Sequence, residues 1–161
     1  MAGIQKITPF LWFNQEAEEA ANLYVSLFPD SKILGVTRYG DAGPGPKGSV
    51  MTVEFQLAGQ KLIGLNGGPH FKFTEAISLF VNCDSQEEVD TLWSRLTANG
   101  GQESQCGWLK DRYGLSWQII PSRFMELMRD KDPQRTQRVM QAMLKMKKFD
   151  IARLEEAYAQ G

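Results

Sequence analysis

Apolar residues Ala20, Leu23, Tyr24 and Leu27 recur at the three-and-four spacing of one helical face in QEAEEAANLYVSLF (15–28). Glu16, Glu18 and Glu19 stand near its start, where the helix dipole favours acids, and PDS stops it. Before it lies ITPFLWF (7–13), short, apolar and β-prone, which predicts a strand. After it, KILGVTRYG, SVMTVEFQL and KLIGLN each predict a strand. The order is β-α-β-β-β.

The pattern returns after a shift of 69 residues. AISLFVN (76–82) falls under ITPFLWF, and QEEVDTLWSRL (86–96) falls under AEEAANLYVSL (17–27). Glu87 and Glu88 match Glu18 and Glu19, while Val89, Leu92, Trp93 and Leu96 match Ala20, Leu23, Tyr24 and Leu27. CGWLK and LSWQII then follow, joined by DRYG, as EFQL and KLIGL are joined by AGQ. Both pairs predict hairpins with glycine in the turn. An ungapped strand-plus-helix match with the same following order predicts two copies of one module.

The remainder, from Ser122, changes character. Pro133 opens a predicted helix bearing Val139, Met140, Met143 and Leu144, and a second carries Ile151, Leu154 and Tyr158. Five of the seven methionines lie between 125 and 146, so these helices are expected to cover the sheet or a partner subunit. The expected layout is one domain over 1–161: module one at about 5–70, module two at about 71–121, and a two-helix extension over 122–161.

A composition 42% hydrophobic and 23% charged is that of a globular protein. Net charge is −1, with Lys and Arg scattered among acids, so no nucleic-acid partner is expected. No apolar run is long enough to span a bilayer, and MAGIQKITPF lacks a charged-then-apolar leader pattern. A cytoplasmic location is therefore expected, with Cys83 and Cys106 as free thiols.

Four stretches carry a resemblance: LWFNQEAEEAANLYVSLFPDSKI, GPGPKGSVMTVEFQLAGQ, LNGGPHFKFTEAISLFVNCDSQEEVD and CGWLKDRYGLSWQIIP. Together they resemble the PhnB-like branch of the vicinal-oxygen-chelate superfamily, a branch often labelled demethylubiquinone methyltransferase. The resemblance implies an α+β chain whose two βαβββ modules form a concave mixed sheet, the glyoxalase/bleomycin resistance/dihydroxybiphenyl dioxygenase fold, with helices outside. It also implies a homodimer. The branch has no defined reaction.

The methyltransferase label asks for a methyl-donor site. GPGPKG (43–48) satisfies G-x-G-x-x-G, but a strand follows it where a helix N-terminus is needed. It reads instead as a mobile hairpin loop. The superfamily resemblance implies a divalent metal held by His and Glu on the first and last strands of the modules. Carried over position by position, those ligands fall on Ile7, Ile63, Ala76 and Gln118, with Asp111 and Gly114 matching the turn that precedes the last. A one-residue slip would offer Thr8 or Glu75. One amide cannot replace three converging donors, so no metal and no cofactor are expected.

Strand alternation is expected to turn Ile7, Pro9, Leu11 and Phe13 to the open face of one sheet, and Ser78, Phe80 and Asn82 to that of the other. Ser116 and Gln118 join the latter, Trp108 and Lys110 share a face of their strand, and Trp12 is expected in the core. The sole histidine, His70, reads as a solvated loop residue, or else as a pocket-rim donor or a general base near neutral pH, and Cys106 as a quiet strand thiol. The candidate ligand-binding set is thus Leu11, Phe13, His70, Ser78, Phe80, Trp108, Lys110, Ser116 and Gln118. Apolar walls with a few hydroxyl, amide and ammonium groups suit a small, partly aromatic or amphipathic molecule. The alternative is an enzyme of the superfamily, a metal-dependent lyase or dioxygenase or the labelled methyltransferase, which would need the missing ligands or a donor site.

Overall fold

A computed structural model of the protein describes residues 4–160. Residues 1–3 and 161, which hold the start of MAGIQKITPF and the last position of the C-terminal extension, lie outside the described residues. The chain divides into two compact units, one ending at Phe73 and the next starting at Thr74.

The first unit runs β1 (Phe10–Phe13), α1 (Ala17–Val25), β2 (Lys32–Arg38), β3 (Val50–Leu57) and β4 (Gln60–Asn66). Its four-stranded sheet has the order β1-β4-β3-β2, with β1 parallel to β4 and the other neighbours antiparallel. The β3–β4 hairpin closes on Ala58 and Gly59, with φ of 47° and 84°, the paired left-handed turn that follows the natural twist of two strands. Helix α1 buries Ala17, Ala20, Ala21 and Tyr24 on Val53, Phe55 and Leu62 of the sheet. Asn66 locks the unit: Oδ1 accepts from Ala17 N (2.8 Å), supplying a partner to a free helix N–H, and Nδ2 donates to Val50 O (3.2 Å).

The second unit repeats the order with β5 (Ser78–Cys83), α2 (Gln86–Thr97), β6 (Gln102–Glu103), β7 (Trp108–Lys110) and β8 (Ser116–Pro121). Its sheet order is β5-β8-β7-β6, with β5 parallel to β8. Helix α2 starts on Ser85, whose side chain accepts from Glu88 N, and buries Val89, Leu92, Trp93 and Leu96.

Three helices follow where two were expected: α3 (Ser122–Met128), α4 (Pro133–Met143) and α5 (Ile151–Ala159). The extra helix α3 begins directly after β8, with Pro121 as its N-cap residue. Phe149, Leu127, Val139, Met146 and Leu154 pack together with Ile120 of β8, so the helices cover one end of their own unit's sheet. Gln86 ties them to α2: its Nε2 donates to Phe149 O (2.9 Å) and its Oε1 accepts from Ile151 N (2.7 Å).

The repeat holds for the helices and slips for the first strands. Helices α1 and α2 start 69 residues apart, at Ala17 and Gln86. Yet Leu11 and Phe13 are buried (5% and 2% exposed), whereas Phe80, the 69-residue counterpart of Leu11, is 45% exposed. Three residues join β1 to α1 and only two join β5 to α2. A one-residue difference reverses every side chain of a strand. Leu11 and Phe13 therefore belong to the core under α1 and not to an open face, correcting their expected placement. Trp12 is half-buried on the opposite face, also against expectation; its Nε1 donates to Gly68 O (2.9 Å) and Phe71 packs edge-on at 4.9 Å. Cys106 is not a strand residue either. It lies in the turn before β7 with φ of 58°, its N–H bonded to Met146 O.

Candidate functional site

In the second unit the sheet register assembles two rows on the face away from α2. Phe80 opposes Gln118, which opposes Trp108. One step along, Ser78 opposes Ser116, Ser116 opposes Lys110, and Lys110 opposes Gln102. Six of the nine candidates, Ser78, Phe80, Trp108, Lys110, Ser116 and Gln118, are thereby on one face. Their alternates Leu109, Leu115, Trp117 and Ile119 are buried on the helix side.

Polar partners organise this face. Gln118 Nε2 donates to Ser78 Oγ at 3.0 Å, bridging β8 and β5. Lys110 Nζ forms an ion pair with Glu75, in the turn before β5. That hydrogen bond and the ammonium charge hold the Glu75 carboxyl below the usual carboxylate range. Ser116 is 1% exposed, and its Oγ has no hydrogen-bond partner among the described residues. A cleft of about 210 Å³ is lined by Glu75, Gln102, Trp108, Lys110 and Ser116, together with Glu103, Ser104 and Leu109. Glu103 opposes Leu109 and turns to the helix side, where its Oε1 accepts from Trp93 Nε1 (2.8 Å).

Asp111 builds the turn that presents β8. Its Oδ1 accepts from Tyr113 N (2.8 Å) and Leu115 N (3.1 Å), and its Oδ2 from Trp117 Nε1 (2.9 Å). Gly114 completes the turn with φ of 88°.

His70 belongs to the first unit. It is exposed and lines a cleft of about 610 Å³ with Tyr39, Pro46, Asn66 and Gly68 at the start of α1. The GPGPKG segment sits here with a structural task. Tyr39 is buried, its hydroxyl donates to Asn66 O (2.6 Å), and a Cβ on Gly43 or Gly45 would strike its ring. The two glycines allow the loop to close over Tyr39. β3 and not a helix follows the loop in the chain, and the α1 start beside it carries Glu18 and Glu19 and has its Ala17 N–H taken by Asn66, so these residues do not fit a glycine-rich methyl-donor loop.

A divalent metal does not fit the corresponding positions either. Ile7, Ile63 and Ala76 carry no donor atom in their side chains, and the Gln118 amide is engaged with Ser78. Among the described residues no three His, Cys, Asp or Glu side chains converge.

Gln102 lines this cleft without having been singled out in the sequence, and Glu75, offered there only as a slipped metal-ligand position, is the partner of Lys110. Glu75 is 35 residues from Lys110, so no local periodicity links them. Strand β6, which carries Gln102, is only two residues long and leaves no alternation to detect.

The family model described as 3-demethylubiquinone-9 3-methyltransferase matches residues 5–120. The chain belongs to that family. A PhnB protein from Bacillus cereus, described by the same methyltransferase name, is 40% identical over 73% of this chain and 99% of that one, with a TM-score of 0.67. PA1353 from Pseudomonas aeruginosa is 22% identical over 73% and 98%, with a TM-score of 0.60, which speaks to the fold alone. The fosfomycin resistance protein FosX from Listeria monocytogenes is 16% identical over 75% and 93%, with a TM-score of 0.49. No curated protein matches the chain. The PhnB-like family implied by the sequence motifs is thus the family of this chain. Among the described residues no helix is long and apolar enough to cross a membrane.

Proposed function

We propose that this PhnB-like protein binds a small, partly aromatic or amphipathic molecule on the open face of its second sheet, without a metal ion. The observation that carries this reading is the row Phe80–Gln118–Trp108, two aromatic side chains flanking one amide across three adjacent strands. Aromatic surface supplies burial, and the amide fixes orientation. Beside that row, Lys110 and Ser116 add a cation and a hydroxyl. A homodimer belongs to the same reading, because Met125 and Leu144 expose apolar surface on and beside the C-terminal helices that a second copy would cover. Light scattering at micromolar concentration reads that state.

NMR titration with benzamide, a neutral amphipathic aromatic probe, tests the binding. The expected result is saturable shifts at the Trp108 indole N–H and the Gln118 side-chain amide. Absence of shifts at both with millimolar benzamide and other neutral aromatic amides defeats the proposal.

A further inference from the structure

Among the described residues Ser116 Oγ has no partner, buried at the floor of a cleft that also holds a cation, and such a hydroxyl costs free energy unless something accepts from it. Lys110 and Ser116 are directly opposed on neighbouring strands, so ammonium and hydroxyl share one face and can serve one acceptor together. Among the described residues, the group paired with Lys110 is the Glu75 carboxylate. That side chain is 60% exposed and sits in a turn, whereas Lys110 is anchored in β7 and is 38% exposed. If the pair opens, Glu75 is the member free to move. Glu103, the other carboxylate lining the cleft, is directed to Trp93 on the helix side.

We propose that the molecule bound here carries a carboxylate, and that Glu75 is a built-in competitor for its place. On binding, the ligand's carboxylate takes Lys110 Nζ from Glu75 and accepts the unused hydrogen bond of Ser116 Oγ, while its aromatic part lies against Trp108. Glu75 then swings into solvent. The inference rests on the reading above and adds the chemical class of the ligand. A cleft of about 210 Å³ is smaller than the roughly 300–1,000 Å³ of drug-sized ligand sites, so it accommodates a charged head group, with the remainder of the ligand over the Phe80–Gln118 row.

Benzoate and benzamide, equal in shape and different in charge, provide the test when titrated into wild type, Glu75→Gln, Ser116→Ala and Lys110→Met. Wild type should prefer benzoate. Glu75→Gln should tighten benzoate about two- to fivefold, the size of an exposed ion pair. Ser116→Ala should weaken benzoate about tenfold and should not lower the urea midpoint, since removing an unpartnered buried hydroxyl loses no hydrogen bond and relieves its desolvation cost. Lys110→Met should abolish the preference. Benzamide should respond to none of the three. If benzamide binds as well as benzoate and Glu75→Gln changes neither, the carboxylate inference is wrong while the site reading stands. If neither compound shifts Trp108 or Gln118, both fall.

Discussion

Trp117 donates its indole N–H to Asp111 Oδ2 at 2.9 Å, and both residues are almost wholly buried. The other oxygen of Asp111 takes two backbone N–H groups of its own turn. One carboxylate thus holds the turn, the strand that follows it and a core tryptophan. Asp111→Ala strands those donors and should cost on the order of 3 kcal/mol or more. Asp111→Asn keeps one acceptor oxygen and should cost about 1–3 kcal/mol. Urea denaturation measures both. A loss within the noise for Asp111→Ala would show the network to be dispensable.

The same pair shows what could be read from the sequence and what could not. The helices were legible because Val89, Leu92, Trp93 and Leu96 repeat at the helical period and meet the sheet. The D-x-x-G turn before β8 was legible too, but its reason was not. Asp111 and Gly114 serve the turn itself, so the motif stands here while its metal-ligand position holds Gln118. The faces of β5 and β8 followed from alternation. Those of β1 did not, because the connection to α1 is one residue longer than its counterpart and the repeat offers no sign of that slip. Glu75 was missed as a partner of Lys110 because only tertiary folding joins a turn to a distant strand.

The loop over Tyr39 depends on two glycines. Gly43→Ala and Gly45→Ala should each cost about 1–3 kcal/mol, because a methyl group must displace an anchored ring. Gly40→Ala, with nothing within 4 Å, should stay within about 0.5 kcal/mol and serves as the control. Melting curves that rank all three alike would remove the clasp.

Acid stability should carry the mark of Glu155 and Asp90. Hydrogen bonding to Arg123 holds the Glu155 carboxyl below its ordinary 4.5, and hydrogen bonds from Lys148 and Gln86 hold Asp90 below its ordinary 3.8. A carboxyl depressed in the folded state binds protons more weakly there than in the unfolded chain. Its stabilisation is therefore present above the ordinary value and lost as pH falls through the depressed one. Between pH 5 and about 2, Glu155→Gln should flatten the stability profile relative to wild type. Parallel profiles would contradict the assignment.

The two thiols should separate in reactivity. Burial, and next the Glu88 carboxylate, push the Cys83 thiol up to about 12. Cys106 is half-buried in a turn. At pH 7.5 a maleimide should label Cys106 in the native protein and reach Cys83 only at the rate of unfolding. Mass spectrometry of partially labelled protein reads the order, and early labelling of Cys83 would refute it.

The central claim is that Gln118 belongs to a face that binds without a metal. Melting curves of chelator-treated wild type and Gln118→Glu, with and without micromolar zinc or nickel, test it most directly. Neither protein should gain stability from metal, because one added carboxylate falls short of the three or more donors a divalent ion needs. Gln118→Glu should instead lose about 1–3 kcal/mol, as the Ser78 hydrogen bond is replaced by an acid on a half-buried face, and lose more at pH 8 than at pH 5 as that acid ionises. A wild-type melting temperature that rises several degrees with sub-micromolar metal would contradict the account and return a metal to this site.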